Sequence, residues 1–320
     1  MGINENLLAR PLVTGAGGFI GYHVCRFLNS DPRVEKIFAV DLAGSRNYAK
    51  LQKLRKVITI DAGIDFINAD HVLRRDITSA FALAALNGTS RFYSNPYTVL
   101  EASTIPTLAL LSRLKSDCPL VYASSSEVYA SSISLGIGNL PTREDIPVSI
   151  EDIKNPRWSY AAAKMHGEIA VIANSIEKKR PSSIVRYHNV YGTYMGTDHF
   201  IPDFVSRTLR GEYWIENADA TRSFLHIDDA VSGTIRALLS ANPEPEVFNL
   251  GNPEELTIRE AAKIILVEMG KSNVIIQEKQ GPRGSVKRRV PDVSKANRIL
   301  NWQSQIHFKE GIQDYLRNSF

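Results

Sequence analysis

Cysteine is scarce. Cys25 and Cys118 are the only two in 320 residues, and no CxxC or Cys/His cluster accompanies them. That argues against a disulfide framework and a structural zinc, so no metal site is expected and a reducing cytoplasm fits best. Long hydrophobic runs are missing too. No stretch approaches the ~18 apolar residues of a spanning helix, and no basic region followed by a long apolar run opens the chain, which therefore reads as neither secreted nor membrane-spanning. The initial Met-Gly pair fails as a myristoylation signal because Asn6 stands where Ser or Thr is required. Charge of one sign is also lacking. Lys plus Arg number 38 against 34 Asp plus Glu, a net +4 with no Lys/Arg block, which suits an anionic small molecule and gives no support to a nucleic-acid partner. There is no internal repeat and no low-complexity tract, although residues 280–289 (QGPRGSVKRR) form a basic loop containing Gly and Pro.

What is present is an ordinary globular composition, 43% hydrophobic and 22% charged, enough for a packed core. Short β-rich runs alternate with helix-period segments through the first half, the pattern of an α/β fold with a doubly wound parallel sheet. Strands are expected at 12–14, 36–41, 57–61, 79–84, 120–124 and 183–187, with helices at 21–29 and 159–175. Beyond about residue 188 the rhythm loosens into loop-rich stretches and an amphipathic helix at 258–269, so a first domain of residues 1–187 and a smaller lobe of 188–320 are expected.

The segment VTGAGGFIG places Gly15, Gly18 and Gly21 after a strand and at the mouth of the helix expected at 21–29, with Phe19 and Ile20 of the same turn counted as cofactor-binding candidates. Backbone N–H groups and the positive helix end can there face a pyrophosphate. The spacing is GxxGxxG, and a glycine turn alone also serves as a tight strand-to-helix connection. Asp41 decides between these readings. It ends the next apolar strand about 20 residues further on, where a carboxylate accepts both ribose hydroxyls and repels a 2′-phosphate. NAD is thus favoured over NADP. Asp61 ends the third strand and is a candidate for the adenine edge or a strand-end cap.

WSYAAAK sets Tyr160 and Lys164 one helical turn apart on one face. A phenol with a free pKa near ~10 is a poor base at neutral pH, but a neighbouring ammonium and a cationic nicotinamide ring both favour phenolate. The pair gains weight from a hydroxyl cluster at a strand end upstream, of which Ser125 is the choice to hold a substrate hydroxyl against Tyr160.

Together TGAGGFIG, Asp41, Leu83-Ala84-Ala85, SSSEVY, YAAAK, RYHNVYG and TRSFLHIDD resemble the extended short-chain dehydrogenase/reductase family that acts on nucleotide sugars, over essentially the whole chain. The resemblance implies a Rossmann-type domain holding NAD, a second lobe holding a nucleotide diphosphate sugar, and transient oxidation of the sugar at C4. Tyr160 would take the hydroxyl proton, Lys164 would tune it and bind the nicotinamide ribose, and Ser125 would share the hydroxyl. Leu83, Ala84 and Ala85 would line the cofactor. Asn189, Arg222 and Arg289 match substrate-contacting positions, the arginines suited to a diphosphate. Residues 224–251, with His226 and Asp228 as packing and capping residues, would return to the first domain. A homodimer through two helices of each subunit, one carrying Tyr160, is also implied. The chain departs from the family pattern at Ala82 (usually His), Ser103 (usually Asn) and His188 (usually Phe).

Glu127 is the unusual member of the serine segment. Once C4 is a ketone, a C5–H or a C5 carboxylate becomes labile, and a carboxylate two residues beyond Ser125 on an extended segment points to the same side. In sugar 4,6-dehydratases the corresponding glutamate takes the C5 proton, with Ser126 here at the neighbouring substrate position. The uronate decarboxylases also carry Ser-Glu, are locally similar at NPRWSY, and would make Arg222 the proton donor. GDP-mannose 3,5-epimerase is similar at RYHNVYG and GPRG, but its cysteine is absent. Glu127 as a backbone-bonded buried carboxylate is the plain alternative. His199, near the expected substrate entrance, is a candidate acid or base or a solvated loop residue. The leading expectation is an NAD-dependent nucleotide-sugar epimerase or dehydratase. Uronate decarboxylation, net 4-oxidation and a non-catalytic NAD-binding regulator stand as alternatives.

Overall fold

Runs rich in β-branched and aromatic residues supply a central parallel sheet: β1 (Pro11–Thr14), β2 (Ile37–Asp41), β3 (Val57–Asp61), β4 (Ser79–Ala82), β5 (Leu120–Ser125), β6 (Ser182–Tyr187) and β7 (Glu246–Leu250). A computed structural model describes residues 5–63, 65, 77–281 and 287–319. The initial Met-Gly pair and residues 282–286 of the basic loop lie outside these. The strand order is β3-β2-β1-β4-β5-β6-β7, all neighbours parallel, so the chain reverses its winding between β1 and β4. The carboxyl ends of strands at such a switch point form the crevice where ligands bind in this architecture.

Both faces of the sheet are covered, which is why β1, β4 and β6 are buried throughout. Alternate residues feed opposite layers. Val13, Phe81, Val121, Val185 and Phe248 pack under α1 (Phe19–Ser30) and α4 (Ile227–Leu239). Leu12, Ala80, Leu120, Tyr122 and Ile184 pack on the other side against Leu110 of α2 (Pro96–Arg113) and Val171 of α3 (Ser159–Lys178). A separate cluster, with Phe204, Phe224, Ile265 and Phe308, gathers the later residues around α5 (Ile258–Glu268). α5 begins with a capping box: Thr257 accepts from the Glu260 N–H, while the Glu260 side chain accepts from Thr257.

β7 extends the first sheet beside β6, in register from Glu246↔Ser183 to Leu250↔Tyr187. His226 caps α4 by accepting the Asp228 N–H at 3.3 Å. The departure at Ser103 is compensated locally. Its buried hydroxyl accepts the Leu86 N–H at 3.2 Å and so still ties α2 to the segment after β4.

Candidate active site

The glycine turn is built to bring backbone close to backbone. Gly15 has φ +67°, and a Cβ there would come within 2.7 Å of the Ala84 backbone. A Cβ on Gly21 would overlap the Gly15 carbonyl oxygen. α1 starts after Gly18 with no side-chain cap, so among the described residues no cap side chain meets the first N–H groups of the helix, at Phe19 and Ile20. Asp41 closes the turn by accepting the Gly17 N–H at 2.8 Å and the Leu42 N–H at 2.7 Å. The Gly18 N–H and the Ser45 hydroxyl also face this carboxylate, so ribose hydroxyls would share its roughly four lone-pair sites with these groups. These features fit NAD: an uncapped helix end and glycine backbone for the pyrophosphate, and a strand-end carboxylate for the ribose. Asp61 is exposed and caps the neighbouring loop through the Ala43 N–H at 2.8 Å, which realises the capping alternative at one of its oxygens.

Leu83, Ala84 and Ala85 run from β4 past this turn. Leu83 packs on the α1 side of the sheet, and Ala85 packs with Phe92, Val99 and Tyr160. The structure thus brings the cofactor-side and Tyr160-side residues onto one strand end.

Tyr160 is buried, stacks on Phe92 with ring centroids 5.2 Å apart, and has the Ser125 side chain near enough to lower its pKa. Ser125 also accepts the Glu127 N–H at 3.2 Å, which turns the chain from β5 into a short 3-10 helix. Lys164 is 2% exposed and donates to the Ala123 carbonyl at 2.7 Å, with its nitrogen 5.7 Å from the Tyr160 ring centre. The expected lowering of the phenol pKa is not produced by the protein groups alone. Burial raises it, the Glu127 charge adds to that, and the Ser125 hydrogen bond opposes both. Burial likewise pushes Lys164 down to about 7, with Glu168 opposing. One turn beyond Lys164, Glu168 is held by Arg186 through contacts of 2.8 and 2.6 Å and by the Ser124 hydroxyl.

Glu127 is ringed by guanidinium groups. Arg289 Nη1 lies 2.7 Å from Oε1 and Arg157 Nη2 lies 3.2 Å from Oε2, with the carboxylate side chain 18% exposed. Burial alone would raise its pKa, but Arg289 and Arg157, with Arg222 behind them, outweigh that and hold it below the ordinary carboxylate value. Arg222 is itself pushed down to about 9 by burial first and then by the Arg289 charge. Three arginines therefore surround one carboxylate. An uncompensated positive charge in a shielded place is an anion site. Glu127 donates its N–H to Ser125, and its charge raises the Tyr160 pKa, so this candidate anion site adjoins Tyr160.

The remaining candidates divide. Ser126 is buried beside Tyr129 and His188. Asn189, at φ +41°, donates to the Ser223 carbonyl at 2.8 Å and ties the end of β6 to the Arg222 segment. His199 sits just before the helix Phe200–Leu209, where burial lowers its pKa, Asp198 opposes and Arg46 assists. It is not brought into the Glu127 cluster. Arg288 pairs instead with Glu255 at 2.7 Å on the surface. Sequence reasoning passed over Arg157, although it stands within NPRWSY three residues before Tyr160. Its partner is 30 positions away in the chain, and nothing local in the sequence marks that contact.

The description "NAD dependent epimerase/dehydratase family" belongs to a family model that matches residues 11–251. A UDP-N-acetyl-alpha-D-glucosaminuronate decarboxylase from Bacillus cytotoxicus is 28% identical, over 96% of this chain and 97% of its own length. UDP-glucuronic acid decarboxylase 1 of Danio rerio is 29% identical, over 97% and 72% respectively. In architecture the chain is similar to a UDP-glucuronic acid 4-epimerase variant from Bacillus cereus, solved with NAD and UDP-4-deoxy-4-fluoro-glucuronic acid. That likeness has a TM-score of 0.84 at 23% identity and covers 97% of this chain and 98% of the other.

Proposed function

Because the chain belongs to the NAD dependent epimerase/dehydratase family, as an NAD-dependent nucleotide-sugar enzyme, we propose that its reaction is decarboxylation of a nucleoside diphosphate uronate. The observation that carries this reading is the pairing of Glu127 with both Arg157 and Arg289, with Arg222 close by. A base that takes a proton from C5 has to be free and of raised basicity. Glu127 is neither, since its arginines hold it ionised and depress its pKa. The excess of guanidinium charge instead favours an anionic substituent close to C4, and the carboxylate of a uronate is that substituent. A diphosphate, attached at C1, is more distant from the oxidised carbon.

In this reading NAD, held by Gly15, Gly18, Phe19, Ile20, Gly21, Asp41 and the segment Leu83 to Ala85, supplies hydride acceptance and return. Tyr160 accepts the proton of the C4 hydroxyl, Ser125 holds that hydroxyl, and Lys164 in its protonated form offsets the burial that keeps the phenol neutral. The 4-keto uronate is a β-keto acid. Its C5–carboxyl bond breaks, carbon dioxide departs, and the electron pair passes into the C4 carbonyl. A proton then returns to C5. Arg222 and Arg289 hold the anionic sugar, and Asn189 braces the strand that carries Arg222. Asp61 at the adenine edge and His199 and Ser126 at the sugar remain secondary assignments of the same reading.

A homodimer is also proposed. The apolar side chains of Tyr97 on α2 and of Ile169 and Ile176 on α3 are 72%, 67% and 62% exposed and support pairing of these two helices between subunits. The two-lobe division at residues 187/188, with 224–251 returning to the first lobe, and a cytoplasmic location belong to the same reading. The test is incubation with NAD and a panel of UDP-, GDP-, CDP- and dTDP-sugars that includes uronates. A product lighter by carbon dioxide supports decarboxylation. Loss of water, or an isomer of unchanged mass, would replace it by dehydration or epimerisation.

A further inference from the structure

His188 stands where the resemblance calls for phenylalanine, and its surroundings fix its protonation. The Asn249 amide donates to the carbonyls of Thr142 at 2.9 Å and Asp292 at 3.0 Å, so its Oδ1 faces the other way as an acceptor. That oxygen accepts the Tyr129 hydroxyl at 2.9 Å, and Tyr129 in turn accepts Arg186 Nη1 at 2.7 Å. His188 Nε2, 3.3 Å from the same oxygen, must therefore carry a proton and donate it. Burial, with Arg289 and Arg186 adding to it, pushes the imidazole pKa down to about 3, so the second nitrogen stays unprotonated. Nδ1 is then a pure acceptor, buried on a residue 1% exposed, and it has no partner among the described residues.

A matching donor lies on a residue that lines the same cavity. Arg289, which holds Glu127 through Nη1, has a buried Nε–H that is also without a partner among the described residues. Both residues line one small cavity of about 10 Å³, together with Ser126, Tyr129 and Thr142. That space holds about one water. An unpaired buried polar atom is costly, and two of opposite sense on residues that line one cavity can be answered by a single hydroxyl.

We infer that His188 Nδ1 and Arg289 Nε–H together bind one hydroxyl group, which donates to the imidazole and accepts from the guanidinium, and that His188 thereby acts as a positioning residue for the Arg289–Glu127 pair. The hydroxyl has two sources, an ordered water or a hydroxyl of the bound sugar. The site itself stands apart from the reaction assigned above; only its kinetic consequence rests on that reading.

A high-resolution structure of the NAD complex, without and with a nucleoside diphosphate uronate, separates the sources. An oxygen about 3 Å from both nitrogens in both structures identifies water, and one present only with the sugar identifies a substrate hydroxyl. No oxygen there in either structure overturns the inference. The kinetic arm uses His188→Phe, which keeps a ring but removes the acceptor, and His188→Gln, whose carbonyl can replace it. His188→Phe should lower kcat about tenfold with KM for NAD unchanged. It should also move the acid limb of the kcat profile upward, because a loosened Arg289 no longer depresses the Glu127 pKa as far, while Arg157, Arg222 and Tyr160 still face it. His188→Gln should recover most of the loss. Should His188→Phe fold poorly, His188→Gln and the two structures still decide. A folded His188→Phe with wild-type kcat and pH profile would contradict the positioning role whichever sugar reaction is established.

Discussion

Replacing Glu127 by glutamine removes one negative charge from among three arginines while keeping side-chain size. At an effective dielectric constant near 20, a pair of charges about 4 Å apart interacts by roughly 4 kcal/mol. Glu127 makes two such pairs, with contacts of 2.7 and 3.2 Å, and its side chain is only 18% exposed. Much of the gross attraction offsets desolvation, so the relevant figure is the cost of breaking a buried pair, which runs about 3–5 kcal/mol. The lower end, about 3 kcal/mol, suits a carboxylate that keeps some solvent. At about 2 °C per kcal/mol for a chain larger than 150–250 residues, Glu127→Gln should melt about 6 °C below the wild type at pH 7 in scanning calorimetry. The effect has a pH signature. The folded pKa of Glu127 lies below its ordinary value of 4.5, so its contribution is complete above that value and is lost as the pH falls through the folded one. The gap between variant and wild type should therefore narrow in strong acid. Inorganic phosphate should stabilise the variant more than the wild type, since the freed arginines bind it. A variant that melts within a degree of the wild type at pH 7 would refute the claim that these arginines depend on Glu127.

Tyr160→Phe removes the proposed proton acceptor without touching the glycine turn. Turnover should fall by about 10²–10⁴ while NAD affinity by calorimetric titration stays near wild type. Lys164→Met tests the buried amine. A folded pKa of about 7 against 10.5 in the unfolded chain means that the unfolded state binds the extra proton across that window, so this residue's contribution to stability rises with pH there. The wild type should gain melting temperature relative to Lys164→Met between pH 7 and pH 9.5, and a constant difference would contradict the assignment. Gly21→Ala drives a Cβ onto the Gly15 carbonyl and should abolish NAD binding in the same titration, whereas Gly211→Ala, open to solvent by contact although at φ +81°, should leave binding intact.

The parallel sheet was legible because hydrophobic runs and turn residues are local signals. The expected strand at 57–61 coincides with β3, and the expected helix at 159–175 lies within α3. The glycine turn after β1, Asp41 at the end of β2 and the one-turn spacing of Tyr160 and Lys164 are local signals of the same kind. β7 was not read as a strand from its residues, since its place depends on pairing with β6 rather than on alternation. The arginine ring was only partly visible: Arg222 and Arg289 stand in motif-like segments, while the role of Arg157 depends on a contact across the fold to Glu127, just beyond β5. The pKa of Tyr160 illustrates a different limit. Sequence spacing brought out the ammonium one turn away, but burial and the Glu127 charge, which work against phenolate, depend on packing.

The most direct test of the account follows the carboxyl carbon itself. With NAD present, a UDP-uronate carrying an isotopic label only at its carboxyl group should release labelled carbon dioxide, and the remaining nucleotide sugar should be an unlabelled pentose. Label retained in a nucleotide-sugar product that has nonetheless turned over would contradict the assignment of the arginine-ringed site to a carboxylate that leaves.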